Sequence, residues 1–127
     1  MQKIYVVESQ DALVKIDETT PCRYGASTVL VVAFDKNNVF VYPGEKRDSG
    51  IEDATIVATH MLLSATDVGV DICWINFFDP DKLAKSLNLP ENEEILMIMD
   101  LGYADANAKA LDNHYNRKAL EENVKYI

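Results

Sequence analysis

Few side chains in this sequence are of the types that carry out chemistry, and none has the spacing of a metal or nucleophile site. The two histidines, His60 and His114, have no second histidine, cysteine or carboxylate at ligand spacing, so no metal is predicted. The two cysteines, Cys22 and Cys73, fall in no redox motif and are expected to be reduced, buried thiols. There is no glycine-rich phosphate loop and no serine or cysteine nucleophile motif.

An aromatic segment and an arginine near the C-terminus are the remaining candidates. Trp74 is the only tryptophan and is followed by Ile75 and Asn76. Taken alone, Trp74 is expected in the core, because aromatic side chains dominate buried area, and Asn76 is expected in a turn. Arg117 lies in a charged tail and is expected to be solvated. His60, in a helix, is interpreted as an interior or interface group.

Composition indicates one globular domain without affinity for polyanions. The 127 residues are 48% hydrophobic and 26% charged, with 12 basic and 21 acidic side chains and a net charge of −9. A field of that sign repels nucleic acid backbones and anionic lipid surfaces. No signal peptide is visible, and the longest apolar-leaning stretch, 51–70, carries charges. We therefore expect a cytoplasmic protein with no nucleic acid or membrane partner.

Hydrophobic patterning predicts strands and helices in alternation, followed by a polar tail. In order, these are a strand at 4–7, a helix from 9 to about 19, a strand at 27–34, a helix at 49–68, a strand at 72–75, a helix from 79 to 87 and a strand at 95–101. Asp79 and Pro80 are typical of a helix N-cap and its first residue. The strands 27–34 and 95–101 are apolar on both faces, which predicts a sheet with helices on both sides.

The longest predicted helix has recognisable ends and a small-residue stripe. Ser49 is expected to be its N-cap, with Glu52 as the capping-box partner, and Gly69 is expected to end it. Ala54 and Ala58 recur on one face and permit close packing, so the helix is predicted to be central and buried.

Five segments, in order and spacing, resemble the second half of the FMN-dependent nitroreductase family. They are 58–65 (ATHMLLSA), 73–80 (CWINFFDP), 87–94 (LNLPENEE), 101–103 (LGY) and 117–122 (RKALEE). Together they cover roughly Ile51 to Tyr126, and the stretch from Lys3 to Phe34 is similar to the family's first strand, helix and second strand.

This resemblance implies an α+β fold, a three-layer αβα sandwich with a mostly antiparallel sheet and helices on both faces. It also implies a homodimer with exchanged C-terminal arms and bound FMN. Hydride would pass from NADH or NADPH through the flavin to a small-molecule acceptor such as a nitro compound or quinone. Trp74, Ile75 and Asn76 match the segment along the flavin ring, and Arg117 matches the tail arginine that reaches the phosphate. The chemistry belongs to the flavin, so no catalytic side chain is assigned.

The sequence also departs from the family pattern. Family members open with two helices that carry an arginine-rich phosphate motif, whereas this chain begins at the first strand, so FMN is expected to bind weakly. The expectation is a single, N-terminally shortened domain over 1–127 with a C-terminal arm from about 104 to 127. Phe77 follows Asn76 where small residues are usual. Two alternatives stay open: a degenerate fold without cofactor that acts as a dimeric scaffold or interaction protein, and a fragment of a longer protein.

Overall fold

The computed structural model describes all residues from Met1 to Ile127 as four strands and four helices. They are β1 (Gln2–Val7), α1 (Gln10–Asp17), β2 (Thr28–Asp35), α2 (Gly50–Asp67), β3 (Asp71–Ile75), α3 (Pro80–Ser86), β4 (Glu93–Gly102) and α4 (Leu120–Asn123). Up to Gly102 this is the predicted order of elements.

The four strands form one antiparallel sheet in the order β1-β2-β4-β3. The two strands with apolar side chains on both faces, β2 and β4, lie in the centre, where both faces need cover. One buried cluster lies against α1 and α3 and includes Leu13, Ile16 and Leu83. The other lies against α2 and includes Ala54 and Ala58. The predicted α+β sandwich with helices on both faces is therefore confirmed.

Local sequence signals explain where two of the helices begin. The side chain of Ser9 accepts a hydrogen bond from the Ala12 amide (3.4 Å) and caps α1. The Asp79 carboxylate accepts from the Lys82 amide (3.0 Å), and Pro80 is the first residue of α3. Both caps supply acceptors for amides that have no partner inside the helix.

The predicted capping box at the start of α2 is wrong. Ser49 makes no side-chain cap bond; its hydroxyl donates to Asp53 (2.8 Å) and accepts from the Phe40 amide (3.1 Å). Glu52 instead accepts from the Tyr42 hydroxyl. The long connection before α2 lies close to the start of the helix, and its residues Phe40 and Tyr42 form hydrogen bonds with the Ser49 and Glu52 side chains that a capping box would use. Sequence spacing does not show this contact.

Helix α2 is buried on one face only, so its predicted burial is half right. Ala54 and Ala58 are fully buried against the sheet, whereas Ile51, Ile56 and Leu63 are 55–59% exposed. His60 is also exposed, with Nδ1 2.8 Å from the Ile56 carbonyl oxygen, and is not interior in this protomer. The outer face is thus a helix surface with large apolar side chains in solvent.

The chain after Gly102 has little contact with the rest of the protomer. Every residue from 103 to 127 is exposed, and the only regular element there is the four-residue α4. The Ala104 amide donates to the Asp71 carboxylate (2.7 Å), which fixes the start of the tail.

None of the helices combines the length and the apolar composition that a membrane span requires.

Candidate functional site

The end of β3 and the turn that follows it hold three of the four residues that the sequence singled out. Ile75 ends β3, pairs with Ile98 and is 4% exposed, because its side chain enters the cluster beside α1 and α3. Trp74 points to the opposite face and packs half-buried against the cluster beneath α2. Asn76 is exposed and leads to the N-cap of α3. Because β3 ends at Ile75, Asn76 lies beyond the sheet and at the surface.

A hydrogen bond links the tryptophan to the asparagine of this turn. The Trp74 indole Nε1 donates to Asn76 Oδ1 at 3.1 Å. Since the indole packs half-buried against the cluster beneath α2, this bond orients the exposed amide side chain. Trp74 is thus a positioning residue for Asn76.

The backbone of the turn offers unused donors. The amides of Asn76, Phe77 and Phe78 donate no hydrogen bond within the chain. A cavity of about 290 Å³ lies beside them, lined by Thr19, Asp79 and the same three residues. Phe77 is 73% exposed, so its ring stands at the surface of this cavity and does not fill the core. Free amides at a cavity are suited to a flat heteroaromatic ligand with acceptor atoms on its edge.

The fourth candidate, Arg117, lies outside this turn in the protomer. Its Nη1 donates to the carbonyl oxygens of His114 (2.7 Å) and Asn116 (2.8 Å), both in its own tail. No hydrogen bond or ion pair connects it to Trp74 or Asn76. The structure links Trp74 to Asn76 and turns the Ile75 side chain to the opposite face of the sheet. It does not bring Arg117 to any of these three residues within one chain.

One buried acidic residue was missed at the sequence level. Asp100 lies in β4, pairs with Val29 and Cys73, and is 6% exposed. Burial raises the pKa of its carboxyl group to about 6, against the opposing effect of the Arg23 guanidinium. Its signal in the sequence is a lone carboxylate inside the run Ile95–Leu101, which is otherwise apolar.

The cysteines are free, but they are not both buried as predicted. Cys22 is half-buried and Cys73 is exposed. Cys73 stands opposite Asp100 in the sheet, and the pKa of its thiol is raised by burial of the sulfur and by the nearby carboxylate. No three histidine, cysteine or acidic side chains are arranged to hold a metal ion.

The three-layer sandwich and the sequence that forms it have counterparts among known proteins. The model of the nitroreductase family matches residues 3–103. The chain belongs to the nitroreductase family.

Known proteins similar to the chain are of the same family. MhqN of Bacillus subtilis (strain 168), named as an NAD(P)H nitroreductase, is 29% identical over 82 residues. That match covers 65% of this chain but 39% of the relative, so the chain matches well under half of that protein.

Solved structures show the same fold. A nitroreductase family protein of Clostridium difficile 630 superposes with a TM-score of 0.88 at 28% identity, over 98% of this chain and 73% of that one. An FMN-dependent nitroreductase of Clostridium difficile R20291 superposes with a TM-score of 0.68 at 24% identity, over 92% and 74% of the two chains.

The residues present fit the ring of FMN better than its phosphate. The free amides of residues 76–78 and the oriented Asn76 side chain can meet acceptor and donor atoms on a ring edge. A phosphate with nearly two negative charges needs several cationic or amide donors. Near the turn, Lys82 already donates to the Glu18 carbonyl oxygen (2.6 Å), and Arg117 is engaged in its own tail. A complete phosphate site therefore needs further donors.

Proposed function

We propose that this chain is an FMN-dependent NAD(P)H oxidoreductase of the nitroreductase type that acts as a homodimer. Nitro compounds, quinones or related small molecules would be the acceptors. The observation that carries the proposal is the turn after β3, where the amides of residues 76–78 are free, in a chain whose residues 3–103 match the family. The names of the similar proteins, one an NAD(P)H nitroreductase and one FMN-dependent, support the same cofactors.

When bound, FMN would supply the redox chemistry by accepting and releasing a hydride. The protein's part is to bind and orient the ring. The amides of residues 76–78 would be available to donate to the ring, and such donors would favour the electron-rich reduced form because they stabilise negative charge. Trp74 holds the Asn76 side chain in place through the 3.1 Å hydrogen bond.

The phosphate would be held by Arg117 of a second copy. The tail that carries Arg117 is exposed along its whole length and contains large apolar side chains, including Leu111, Leu120 and Tyr126, which are 68–95% exposed. A tail of this composition is stable in one conformation only when another surface covers it. In an exchanged dimer, the tail would leave its own protomer and reach the turn of the partner.

The accessible surface area of the protomer also supports a dimer. The protomer exposes 9181 Å², whereas a compact monomer of this mass exposes about 6,800 Å². The excess is on the order of 2,000 Å², comparable with what obligate dimers bury. Exposed Ile51, Ile56 and Leu63 on α2 extend the uncovered apolar surface beyond the tail.

The proposal is tested on the purified chain reconstituted with FMN under anaerobic conditions. Addition of NADH or NADPH should bleach the visible flavin band, and a nitroaromatic or a quinone should restore it. A chain that shows no saturable FMN binding at equilibrium and no reduction of added FMN by NADH or NADPH would contradict the proposal and favour the scaffold alternative.

Two variants examine the turn itself. Trp74→Phe removes the indole donor and Asn76→Ala removes its acceptor, so both break the same hydrogen bond. Each substitution should lower the affinity for FMN. The double variant should bind FMN no more weakly than the more affected single variant, because the effects of two coupled residues on affinity do not add. Additive losses would show that Trp74 does not act through Asn76.

A further inference from the structure

A second cavity lies at the other end of β3. Its volume is about 640 Å³, and it is formed by the loop 23–27, the start of β3 at 71–73 and the chain 100–104 at the end of β4. Asp71 pairs with Gly102 at this end and Ile75 with Ile98 at the other. The two ends are four residue steps apart along the strand, a distance of about 14 Å. The cavity is therefore distinct from the proposed flavin site.

The cavity contains a buried carboxylate without a partner. Asp100 lines it and is 6% exposed, and neither of its carboxylate oxygens accepts a hydrogen bond. The other buried carboxylate, Glu93, is satisfied by the Tyr5 hydroxyl and lies 4.0 Å from the Lys3 ammonium. A buried charge without such partners is costly, so an unpaired Asp100 indicates a group that is missing from the isolated chain.

The single arginine of the cavity does not fill this role. Arg23 donates from Nε and Nη2 to Asp17, both at 2.6 Å, and its Nη1 donates to the Ala26 carbonyl oxygen. It makes no hydrogen bond to Asp100. Its charge is balanced mainly by Asp17, so the cavity keeps an uncompensated negative charge.

The other walls are suited to an organic group. Tyr24 and Tyr103 line the cavity and are 77% and 81% exposed, which leaves their rings accessible to a ligand. Asp71 adds a second carboxylate to the cavity, beside the start of the tail, where it accepts a hydrogen bond from the Ala104 amide. Tyrosine faces and carboxylates together attract cations that also carry apolar surface.

We propose that this cavity binds a small organic cation, an ammonium or amidinium compound, with Asp100 as its counter-ion. The positive charge of the cation compensates the negative charge of the Asp100 carboxylate, whose oxygens are buried in the wall of the cavity, and the rings of Tyr24 and Tyr103 cover the apolar part of the cation. A divalent metal ion fits less well, because Mg²⁺ and Ca²⁺ require six or more oxygen ligands and no metal-binding cluster of side chains is present. The net charge of −9 favours the approach of any cation.

Binding of this kind depends on pH through Asp100, whose pKa is about 6. The charged and titratable groups around it are Arg23 and Asp17 from the α1 side, Cys22 and Tyr24 from the same loop, and Cys73 and Asp71 from β3. Arg23 stays protonated, and its pKa is raised further by Asp17, so it does not titrate near pH 6. Protonation of Asp100 below pH 6 removes the negative charge of the counter-ion and so lowers the affinity for the cation.

The test uses the full chain and three probes, namely butylammonium, benzylammonium and neutral benzyl alcohol. Binding of each probe is measured by NMR titration, with the backbone amide shifts as the readout. Benzylammonium should bind saturably and shift the amides of residues 23–27, 71–73 and 100–104. Its affinity should fall about tenfold between pH 7.5 and pH 5, while the amine remains protonated. Asp100→Asn should lose at least about tenfold in affinity, whereas Asp71→Asn, a carboxylate in the same cavity, is the matched control and should lose much less.

Several results would overturn this site. They are the absence of saturable binding by both ammonium probes, equal binding of benzyl alcohol, an unchanged affinity in Asp100→Asn, or displacement of benzylammonium by equimolar Mg²⁺. The pH dependence in the wild-type chain is a second test that needs no variant, so it stands even if Asp100→Asn folds poorly.

Discussion

Asp100 shows how one residue changes the energetics of a strand. Its neighbours Ile98 and Met99 are fully buried, and the same position beside Val29 would suit an aliphatic side chain. The carboxyl group instead sits where water is excluded, and its pKa rises from 3.8 to about 6 because burial disfavours the charged form.

This shift predicts a pH-dependent cost to stability. A carboxyl whose pKa is raised in the folded state binds its proton more tightly there than in the unfolded chain. It therefore favours folding below pH 4 and loses that contribution as the pH rises through about 6. Asp100→Asn does not titrate, so its free energy of unfolding relative to the wild type should increase by about 2–3 kcal/mol from pH 4 to pH 7.5.

Urea unfolding at the two pH values measures this difference. The remaining acidic groups are common to both proteins, so their titration largely cancels in the comparison. A stability difference that is the same at pH 4 and pH 7.5 would show that Asp100 is ionised normally in the folded protein.

At the level of residues, the sequence predicted the turn better than the tail. Trp74, Ile75 and Asn76 could be placed because strand alternation and the Asp79-Pro80 helix start fix where β3 ends. The bond between Trp74 and Asn76 could not be predicted, since it depends on rotamers. Asp100 was overlooked because the cost of a buried carboxylate depends on which side chains surround it in three dimensions.

Helix α2 is the element whose packing depends most on one small residue. Gly50 is buried at its first turn, and an added Cβ would lie 2.3 Å from Cε2 of the buried Phe34 ring. The helix starts this close to the sheet because Ser49 and Asp48 bind the preceding loop and the Gly50 amide (2.9 Å). Sequence spacing alone suggested a capping box here and could not show that the loop uses Ser49.

Gly50→Ala is therefore expected to lower the free energy of unfolding by about 1–3 kcal/mol, despite the higher helix propensity of alanine. The clash with Phe34 requires a shift of the helix or the ring. Gly102→Ala is the matched control: nothing lies within 4 Å of its added Cβ, and its change should stay within about 0.5 kcal/mol. Equal stabilities of the two variants in chemical denaturation would contradict this account of the α2–β2 contact.

The whole molecule consists of a packed core up to Gly102 and an exposed tail. The core up to Gly102 could be predicted because alternation, apolar runs and helix caps all indicate the same elements. The course of the tail could not, because a polar segment without internal periodicity takes its structure from the surface that it contacts. In the protomer, residues 103–127 are exposed throughout.

A homodimer held by these tails predicts that folding depends on concentration. The melting temperature should rise with protein concentration, since dissociation and unfolding are linked. Removal of residues 113–127 should lower the melting temperature and give a monomer in sedimentation. In an isolated protomer the same removal would change little, because this segment is exposed throughout. A full-length monomer with a melting temperature independent of concentration would contradict the dimer.

Equilibrium titration with FMN is the most direct test of the proposed function. The wild-type chain should bind close to one FMN per protomer, and Arg117→Ala should weaken the affinity by about 1–3 kcal/mol through loss of a charge-assisted contact. Lys109→Ala, a cation of the same exposed tail outside the family motif, is the control and should bind as the wild type does. No saturable FMN binding would contradict a flavin-dependent enzyme, and equal affinities of the two variants would contradict a phosphate site that includes Arg117.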